Sequence, residues 1–405
     1  MSRILAAFSL AATLAVSIAY AVEGDVPVSG FGALDHVFLI LMENETDTDI
    51  LGNPNAPFIN AYAKTANRAA DYFGVGHPSA PNYLEIVGGS NFGLSDDYWP
   101  NWVGKGCIDH APKSHDCAHA FTPIAAAGSD NPVVATAQDA SQCNYQILNM
   151  TPAPKPNNCA LYDYPSTPFT PKSIAEQLVE THRSWKSYQE SLPTVAPGLA
   201  GVNYADGIWS NLSPRAVFAP GEIQKLYAVK HNPFAYFREI EVGNNPALSL
   251  ERVKDFVGPA GLWADLQGEM PSFALIVPNQ CHDMHGYVNG GSAICSSATK
   301  AERSWLMAQG DASVRALIDG ITASPAWKRG RNALVLVWDE NDYSDAGNRV
   351  VMLVQTNYGA DGKTSSVPYD HFSLLRTLEA GFGLPCLNHA CDSTSKVMND
   401  LFGGF

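Results

Sequence analysis

The stretch HVFLILMEN, residues 36–44, runs through six consecutive apolar side chains and then stops on a carboxylate and an amide. A strand with one solvated face alternates polar and apolar residues, so an unbroken apolar run fits a strand buried on both faces of a helix-covered parallel sheet. SFALIVP (272–278), ALVLVW (333–338) and VVMLV (350–354) have the same character. Between and after them, KSIAEQLVETH from Lys172, EIQKLYAVKH from Glu222, ASVRALIDGI from Ala312 and HFSLLRTLEAGF from His371 space their apolar residues at helical intervals. The alternation predicts an α/β sandwich with a mostly parallel central sheet. With 405 residues, 46% hydrophobic and 16% charged, the chain can bury a large core, and one continuous domain is the expectation.

In open α/β sheets, ligand-binding groups collect just beyond the carboxyl ends of the strands. The first run ends in Glu43 and Asn44; ALVLVW ends in Asp339 and Glu340, followed by Asn341 and Asp342. Taken singly, either pair reads equally well as loop acids and turn formers. Oxygen-rich pairs at two strand ends together point to a shared divalent cation, which offsets the cost of crowding negative charge.

HPSAPNYLEIVGGSNFG, residues 77–93, places Ser79 between two prolines and ahead of a short helical pattern. With Ser79 as the N-cap, Pro81 falls in the first turn, where a missing N–H does no harm. The hydroxyl then points out of a helix N-terminus, a setting that favours an arriving phosphate. Serine needs help to ionise near neutral pH, and a cation on its oxygen supplies that help. Asn82, three positions on, is placed to donate to a phosphoryl oxygen as charge develops there. Without these neighbours, Ser79 reads as an ordinary N-cap.

Residues 1–21 carry Arg3, an apolar run and an Ala-Tyr-Ala cleavage pattern, and are expected to be a secretory signal, with a retained anchor as the alternative. Removing them turns 25 basic residues into 24 against 40 acidic ones, a net charge of −16. So acidic a chain, lacking clustered Lys and Arg, is not expected to bind nucleic acid or to hold stably to an anionic membrane. Eight cysteines fit an oxidising compartment, secreted or periplasmic. Cys281 is expected to pair with Cys295 and Cys386 with Cys391, while Cys107, Cys117, Cys143 and Cys159 leave three connectivities open. The interval from about 95 to 170 holds those four cysteines, many Pro, Asn and Asp residues and little periodicity, and reads as a disulfide-tied insertion. Its His110, His115 and His119 read as exposed loop histidines, and its DYWPNW (97–102) either lines a substrate mouth or packs the insertion onto the core.

HVFLILMENETDTDILGNPNAPFIN, HPSAPNYLEIVGGSNFG, SWKSYQESLP, YAVKHNPFAYF, FALIVPNQCHDMHG, LVLVWDENDYSD and YDHFSLLRTLEAGFGLP succeed one another from residue 36 to 385. In this order they resemble the secreted phosphoesterase family that includes bacterial and fungal acid phosphatases and bacterial phospholipases C, within the alkaline-phosphatase-like superfamily. The resemblance implies a three-layer α/β/α sandwich over residues 22–405. It implies Glu43, Asn44, Asp339 and Glu340 as metal ligands and Ser79 as nucleophile and further ligand. It also marks Asn82 as the group that stabilises the phosphoryl oxygens, and His231, His285 and His371 as site histidines. His282 is assigned to the metal, with Asp283 a further candidate ligand. One or two ions are expected, and mixed oxygen and imidazole ligands suit zinc, manganese, iron, magnesium or calcium.

Three departures sharpen this reading. ETDT (45–48) follows Asn44 where phospholipases C usually carry Arg-Ser-Phe-Asp, Glu340 stands where an aspartate is common, and Tyr83 replaces the arginine that a formylglycine sulfatase requires. The expected activity is that of a secreted, metal-dependent acid phosphatase acting on small phosphomonoesters through a serine nucleophile. The alternatives are a phosphodiesterase or phospholipase C on the same scaffold, and a non-catalytic secreted binding protein.

Overall fold

The computed structural model describes residues 23–92, 94, 169–192, 194–196, 199–200, 226–286, 295–345, 347–359 and 362–403. The expected signal, the body of the cysteine-rich insertion with its histidines and aromatic stretch, and residues 222–225 lie outside the described residues.

The strands in chain order are β1 (His36–Met42), β2 (Asn67–Ala69), β3 (Tyr72–Phe73), β4 (Trp185–Gln189), β5 (Thr194–Ala196), β6 (Leu199–Ala200), β7 (Val253–Lys254), β8 (Phe273–Val277), β9 (Asn332–Trp338), β10 (Met352–Thr356), β11 (Thr364–Ser365) and β12 (Tyr369–Asp370). Eight of them form the central sheet in the order β11-β2-β10-β9-β1-β8-β4-β7, and β12 pairs with β3 and β5 with β6 outside it. From β7 across to β9 all neighbours are parallel; β10 alone runs against its neighbours β9 and β2. Every residue of β8 and β9, and all of β1 after His36, is buried, which is why these segments read as unbroken apolar runs. Each fully buried Val, Leu, Ile or Phe there is worth about 1.5–3 kcal/mol over exposure.

Burial on both faces requires cover on both faces. One helical group pairs Lys300–Ala323 with Pro57–Tyr62; the Asp311 carboxylate accepts from the Phe58 and Ile59 amides at 3.1 and 2.8 Å. A capping box of Thr299 and Glu302 starts the longer helix. The other group packs Ser79–Gly88 against His371–Phe382, with Ile174–Glu180 beside it. All ten residues of the Ser79–Gly88 helix are buried. It ends at Gly89, in a left-handed conformation with φ 70°, where a Cβ would come within 2.3 Å of the Leu387 carbonyl.

Two sequence expectations shift. The described part of the helix expected from Glu222 is a loop and a 3-10 turn, Val229–His231, because Pro233 follows and its predecessor Asn232 is forced out of helical backbone. WKSYQ, which lacks an apolar run, is nevertheless the interior strand β4. Its buried Gln189 amide donates to Ser187 Oγ at 2.9 Å and to the His231 carbonyl at 3.3 Å, so its polar residues hold the His231 turn in place. The two expected local disulfides, Cys281–Cys295 and Cys386–Cys391, are both formed. No described helix is long and apolar enough to cross a membrane.

Candidate active site

The site follows from register. β1 and β9 are parallel neighbours with Met42 opposite Trp338, so the next residues, Glu43 and Asp339, leave the sheet side by side. The Asp339 amide donates to the Met42 carbonyl at 3.0 Å and the Asn44 amide donates to Asp339 Oδ1 at 3.1 Å, which carries the pairing one step past the strands. Asn44 takes a left-handed φ of 52°, a conformation that asparagine tolerates better than most residues.

Ser79 arrives from the opposite direction. Pro78, not Ser79, is the N-cap, so Ser79 is the first helical residue and its hydroxyl makes no capping bond. Instead its Oγ lies 3.0 Å from Glu43 Oε2 and 3.0 Å from Glu340 Oε1, as a single donor between two carboxylates. Ser79, Glu43, Asp339 and Glu340 are all buried. Gly74 allows the approach of the preceding loop: a Cβ there would lie 2.6 Å from the Asp339 carbonyl.

Histidines stand on both outer sides of this group. His231 Nε2 is 2.9 Å from Glu43 Oε1, and its Nδ1 is 3.8 Å from Asp283 Oδ2. Tyr83 stacks flat on His231, with ring centroids 5.0 Å apart. His77 Nδ1 pairs with Glu340 Oε2. His285 lies with its ring centroid 6.4 Å from that of His231; its Nδ1 donates to the Gly286 carbonyl at 2.6 Å, which leaves Nε2 as its acceptor nitrogen.

The electrostatics expose a charge imbalance. Burial raises the Glu43 carboxyl, but His231, Lys230 and His285 outweigh it and hold Glu43 below the usual carboxylate range. Burial, together with the charges of Glu43 and Glu340, pushes Asp339 well above that range. Asp283 is likewise raised, by burial first and by Glu43 second. Buried carboxylates this close need a counter-charge. Glu43, Asp339 and Glu340 each offer an oxygen, and these atoms lie within 4.8 Å of one another. Asn44 Oδ1 and Asp339 Oδ2 are buried and accept no hydrogen bond from any described residue. Orphaned oxygens beside clustered carboxylates are the donor set of a hard divalent cation, so the residues fit one.

Not every expected site residue joins the cluster. Asn82 is fully occupied by the loop before Ser79: Oδ1 accepts from the Val75 and Gly76 amides at 2.9 and 3.1 Å, and Nδ2 donates to the Gly76 and Pro78 carbonyls at 2.9 and 3.1 Å. Both its amide hydrogens are committed, so the expected donation to a phosphoryl oxygen is not what the structure builds. His282, expected at the metal, is half-exposed with Nδ1 2.8 Å from the Glu190 carboxylate, and it stands outside the group of clustered carboxylates. His371 lies behind the site, with Nε2 on the Asp339 carbonyl and Nδ1 on the Tyr72 hydroxyl, and burial lowers it to about 4. His77 was not among the expected residues. Its place two positions before Ser79 was visible, but its partner Glu340 is 263 positions away and only the fold brings them together.

The model of the phosphoesterase family matches residues 43–385. A phosphatidylinositol-3-phosphatase from Mycobacterium tuberculosis is 23% identical over 412 residues, spanning 100% of this chain and 96% of its own length. An acid phosphatase from Aspergillus fumigatus is 20% identical over 376 residues, 92% of this chain and 60% of that protein. A phosphate-repressible acid phosphatase from Penicillium chrysogenum is 21% identical over 337 residues, 81% of this chain and 55% of its own, so the chain spans little more than half of these two fungal proteins. Among solved structures, a protein of the alkaline phosphatase superfamily from Vibrio parahaemolyticus superposes with a TM-score of 0.44 at 11% identity, covering 89% of this chain and 69% of that one. With the family match beginning at Glu43 itself and continuing past the His371–Phe382 helix, this chain belongs to the phosphoesterase family and is a hydrolase of phosphoric ester bonds.

Proposed function

We propose that this chain is a secreted or periplasmic, metal-dependent phosphatase of broad specificity that cleaves small phosphomonoesters through Ser79, in the manner of an acid phosphatase. Residues 22–405 are taken as one phosphoesterase domain carrying an insertion at about 95–170, exported by the leader at 1–21. The observation that carries this reading is the Ser79 hydroxyl, 3.0 Å from each of two buried carboxylates at the mouth of a buried helix. The two disulfides support an oxidising compartment, and the full-length relative and the fungal relatives are all named as phosphatases.

Glu43, Asn44, Asp339, Glu340 and Ser79 would hold a divalent cation. When bound, it lowers the pKa of a hydroxyl it touches and neutralises charge on phosphoryl oxygens. The chain's own residues do the rest. Ser79 Oγ gives its proton to a flanking carboxylate oxygen and forms a bond to phosphorus, while the bond from phosphorus to the ester oxygen breaks. The N-terminus of the Ser79–Gly88 helix, where Ser79 stands first, favours the negative phosphoryl group through the helix dipole. The departing alkoxide takes up the proton that the carboxylate received from Ser79, and His285, whose Nε2 is an acceptor, is assigned to take a proton from the water that attacks next. Water then cleaves the phosphoserine, releasing phosphate and restoring the hydroxyl.

The test uses purified protein loaded in turn with zinc, manganese, iron, magnesium and calcium, with metal content measured by elemental analysis. Substrates are p-nitrophenyl phosphate, bis-p-nitrophenyl phosphate and phosphatidylcholine, with Ser79→Ala beside the wild type. The monoester should turn over fastest, and the variant should keep its fold and lose at least about 1,000-fold in kcat. Undiminished turnover by the variant would move the nucleophile elsewhere. Faster cleavage of the diester or the lipid would make the chain a diesterase, and no release from any ester would make it a binding protein.

A further inference from the structure

Glu340 carries its carboxylate on three rotatable bonds, one more than an aspartate, yet it must present one particular oxygen to Ser79. Its two oxygens have two different neighbours. Oε1 accepts from Ser79 Oγ at 3.0 Å, and Oε2 pairs with Nδ1 of His77. The His77 side chain is wholly buried. Tyr343 lies flat against its ring, with centroids 3.9 Å apart and planes 22° from parallel.

The slot that holds His77 is built from the two segments it connects. On one side is the loop leading to Ser79, two residues on. On the other is the turn after β9, which carries Glu340 and, three residues later, Tyr343 in a left-handed conformation with φ 65°. That turn is fixed internally: the Tyr343 amide donates to Asn341 Oδ1 at 2.9 Å, and the Asn341 amide donates to Asn348 Oδ1 at 2.8 Å. Asn348 Nδ2 then donates across to the Gly76 carbonyl at 2.9 Å, next to His77. The far side of the site has the same arrangement, with His231 Nε2 2.9 Å from Glu43 Oε1 while Glu43 Oε2 faces Ser79. Ser79 therefore sits at the centre of a chain that runs imidazole, carboxylate, hydroxyl, carboxylate, imidazole.

We propose that His77 is a positioning residue for the hydrolysis: its Nδ1–H anchors Glu340 Oε2, so that Oε1 stays on the nucleophile and the carboxylate stays available to the cation site. This inference rests on the reading of Ser79 as the nucleophile and Glu340 as part of the cation-binding group. An outer-sphere donor to a ligating carboxylate commonly changes metal affinity or activity by about 10–100-fold when removed.

The test compares wild type, His77→Ala and His77→Asn, because an asparagine Nδ2–H occupies the position of a histidine Nδ1–H. Three quantities are read for each: kcat and KM on p-nitrophenyl phosphate, equilibrium affinity for zinc and manganese by calorimetric titration of metal-free protein, and thermal unfolding of the metal-free protein. His77→Ala should lose about 10–100-fold in kcat or in cation affinity with KM nearly unchanged, and His77→Asn should recover most of the loss. An asparagine variant as impaired as the alanine variant, or an alanine variant equal to wild type, overturns the proposal. So does a loss that follows the unfolding temperature across both variants. If wild type hydrolyses no phosphate ester, the functional reading fails, but the calorimetric comparison still decides His77. A wild type that neither hydrolyses nor binds cation removes both.

Discussion

His371 donates from Nε2 to the main-chain carbonyl of Asp339 at 2.5 Å, and its Nδ1 accepts from the Tyr72 hydroxyl at 3.0 Å. With both ring nitrogens committed and burial lowering it to about 4, this histidine is a neutral strut under the strand end that carries Asp339 and Glu340. Replacing it with alanine leaves a buried hydroxyl and a buried carbonyl without their partner, at a cost of about 1–3 kcal/mol for each group. His371→Ala should therefore lower stability in urea unfolding and lower kcat together. His371→Gln, whose terminal amide can reach the same carbonyl, should retain more of both. Equal stability of His371→Ala and wild type would show that the strut carries no load.

Asn82 was expected to meet substrate, and the structure gives it a different task. Its four bonds tie Val75, Gly76 and Pro78 into the turn that delivers Ser79. Asn82→Asp keeps the two acceptor contacts but sets a carboxylate oxygen against the Gly76 and Pro78 carbonyls. We expect a loss of about 2–4 kcal/mol in unfolding free energy alongside the loss of turnover. A variant with wild-type stability and a kcat reduced about 100-fold would instead show direct contact with the transition state.

The cation itself should register as stability. A ligand that binds only the folded state adds about 2.7 kcal/mol at 100 times its dissociation constant. Adding zinc or manganese to metal-free protein should raise the unfolding temperature in proportion to the logarithm of concentration. Ser79→Ala should keep most of this shift, since Glu43, Asn44, Asp339 and Glu340 remain. Asp339→Ala should abolish it, because it removes both the oxygen bonded to the Asn44 amide and the buried Oδ2 that has no donor. A full shift in Asp339→Ala would place the cation elsewhere.

Cys281 and Cys295 close a loop across 14 positions that contains Asp283 and His285. Opening a loop of that size by Cys281→Ser with Cys295→Ser should cost about 3 kcal/mol. Turnover should fall further than stability alone explains, because the Glu43 amide donates to the Asp283 carbonyl at 3.0 Å and Asp283 faces His231. Equal activity per folded molecule in the double variant would show that the loop holds its shape unaided.

The parts of this site that could be read in the sequence are those set by strand ends. An apolar run that stops on oxygen-bearing residues announces where a buried strand emerges, and Glu43, Asn44, Asp339 and Glu340 were found that way. Ser79 was legible because prolines and a helical pattern surround it. What could not be read was the direction in which each side chain spends its hydrogen bonds. Asn82 and His371 have residue types suited to chemistry, but their donors are taken by backbone groups that approach only in the folded chain. His77 and His282 show the converse: Glu340 and Glu190, which select their places, are 263 and 92 positions away. β4 was missed as a strand because Lys186, Ser187 and Gln189 break up its apolar residues: Trp185 and Tyr188 pack in the core, while Ser187 and Gln189 serve the His231 turn.

A last expectation concerns pH and lies away from the site. Glu176, on the Ile174–Glu180 helix, is half-buried; burial first, and then the neighbouring Glu180, raise its carboxyl to about 7, against the opposing pull of Lys172, with Glu239 and Glu23 adding to the rise. In the unfolded chain the same group titrates near 4.5. Between those values the folded protein binds more protons than the unfolded one, so this group's contribution to stability falls as pH rises and is constant above about 7. The full difference would amount to about 3 kcal/mol, which partial exposure reduces to roughly 1 kcal/mol. Glu176→Gln removes this dependence. At pH 4 the variant should match wild type in urea unfolding, and at pH 8 it should be about 1 kcal/mol more stable, the gap opening between pH 4.5 and 7. Parallel stability curves for the two proteins across that interval would mean that the Glu176 carboxylate is as well solvated in the folded protein as in the unfolded chain.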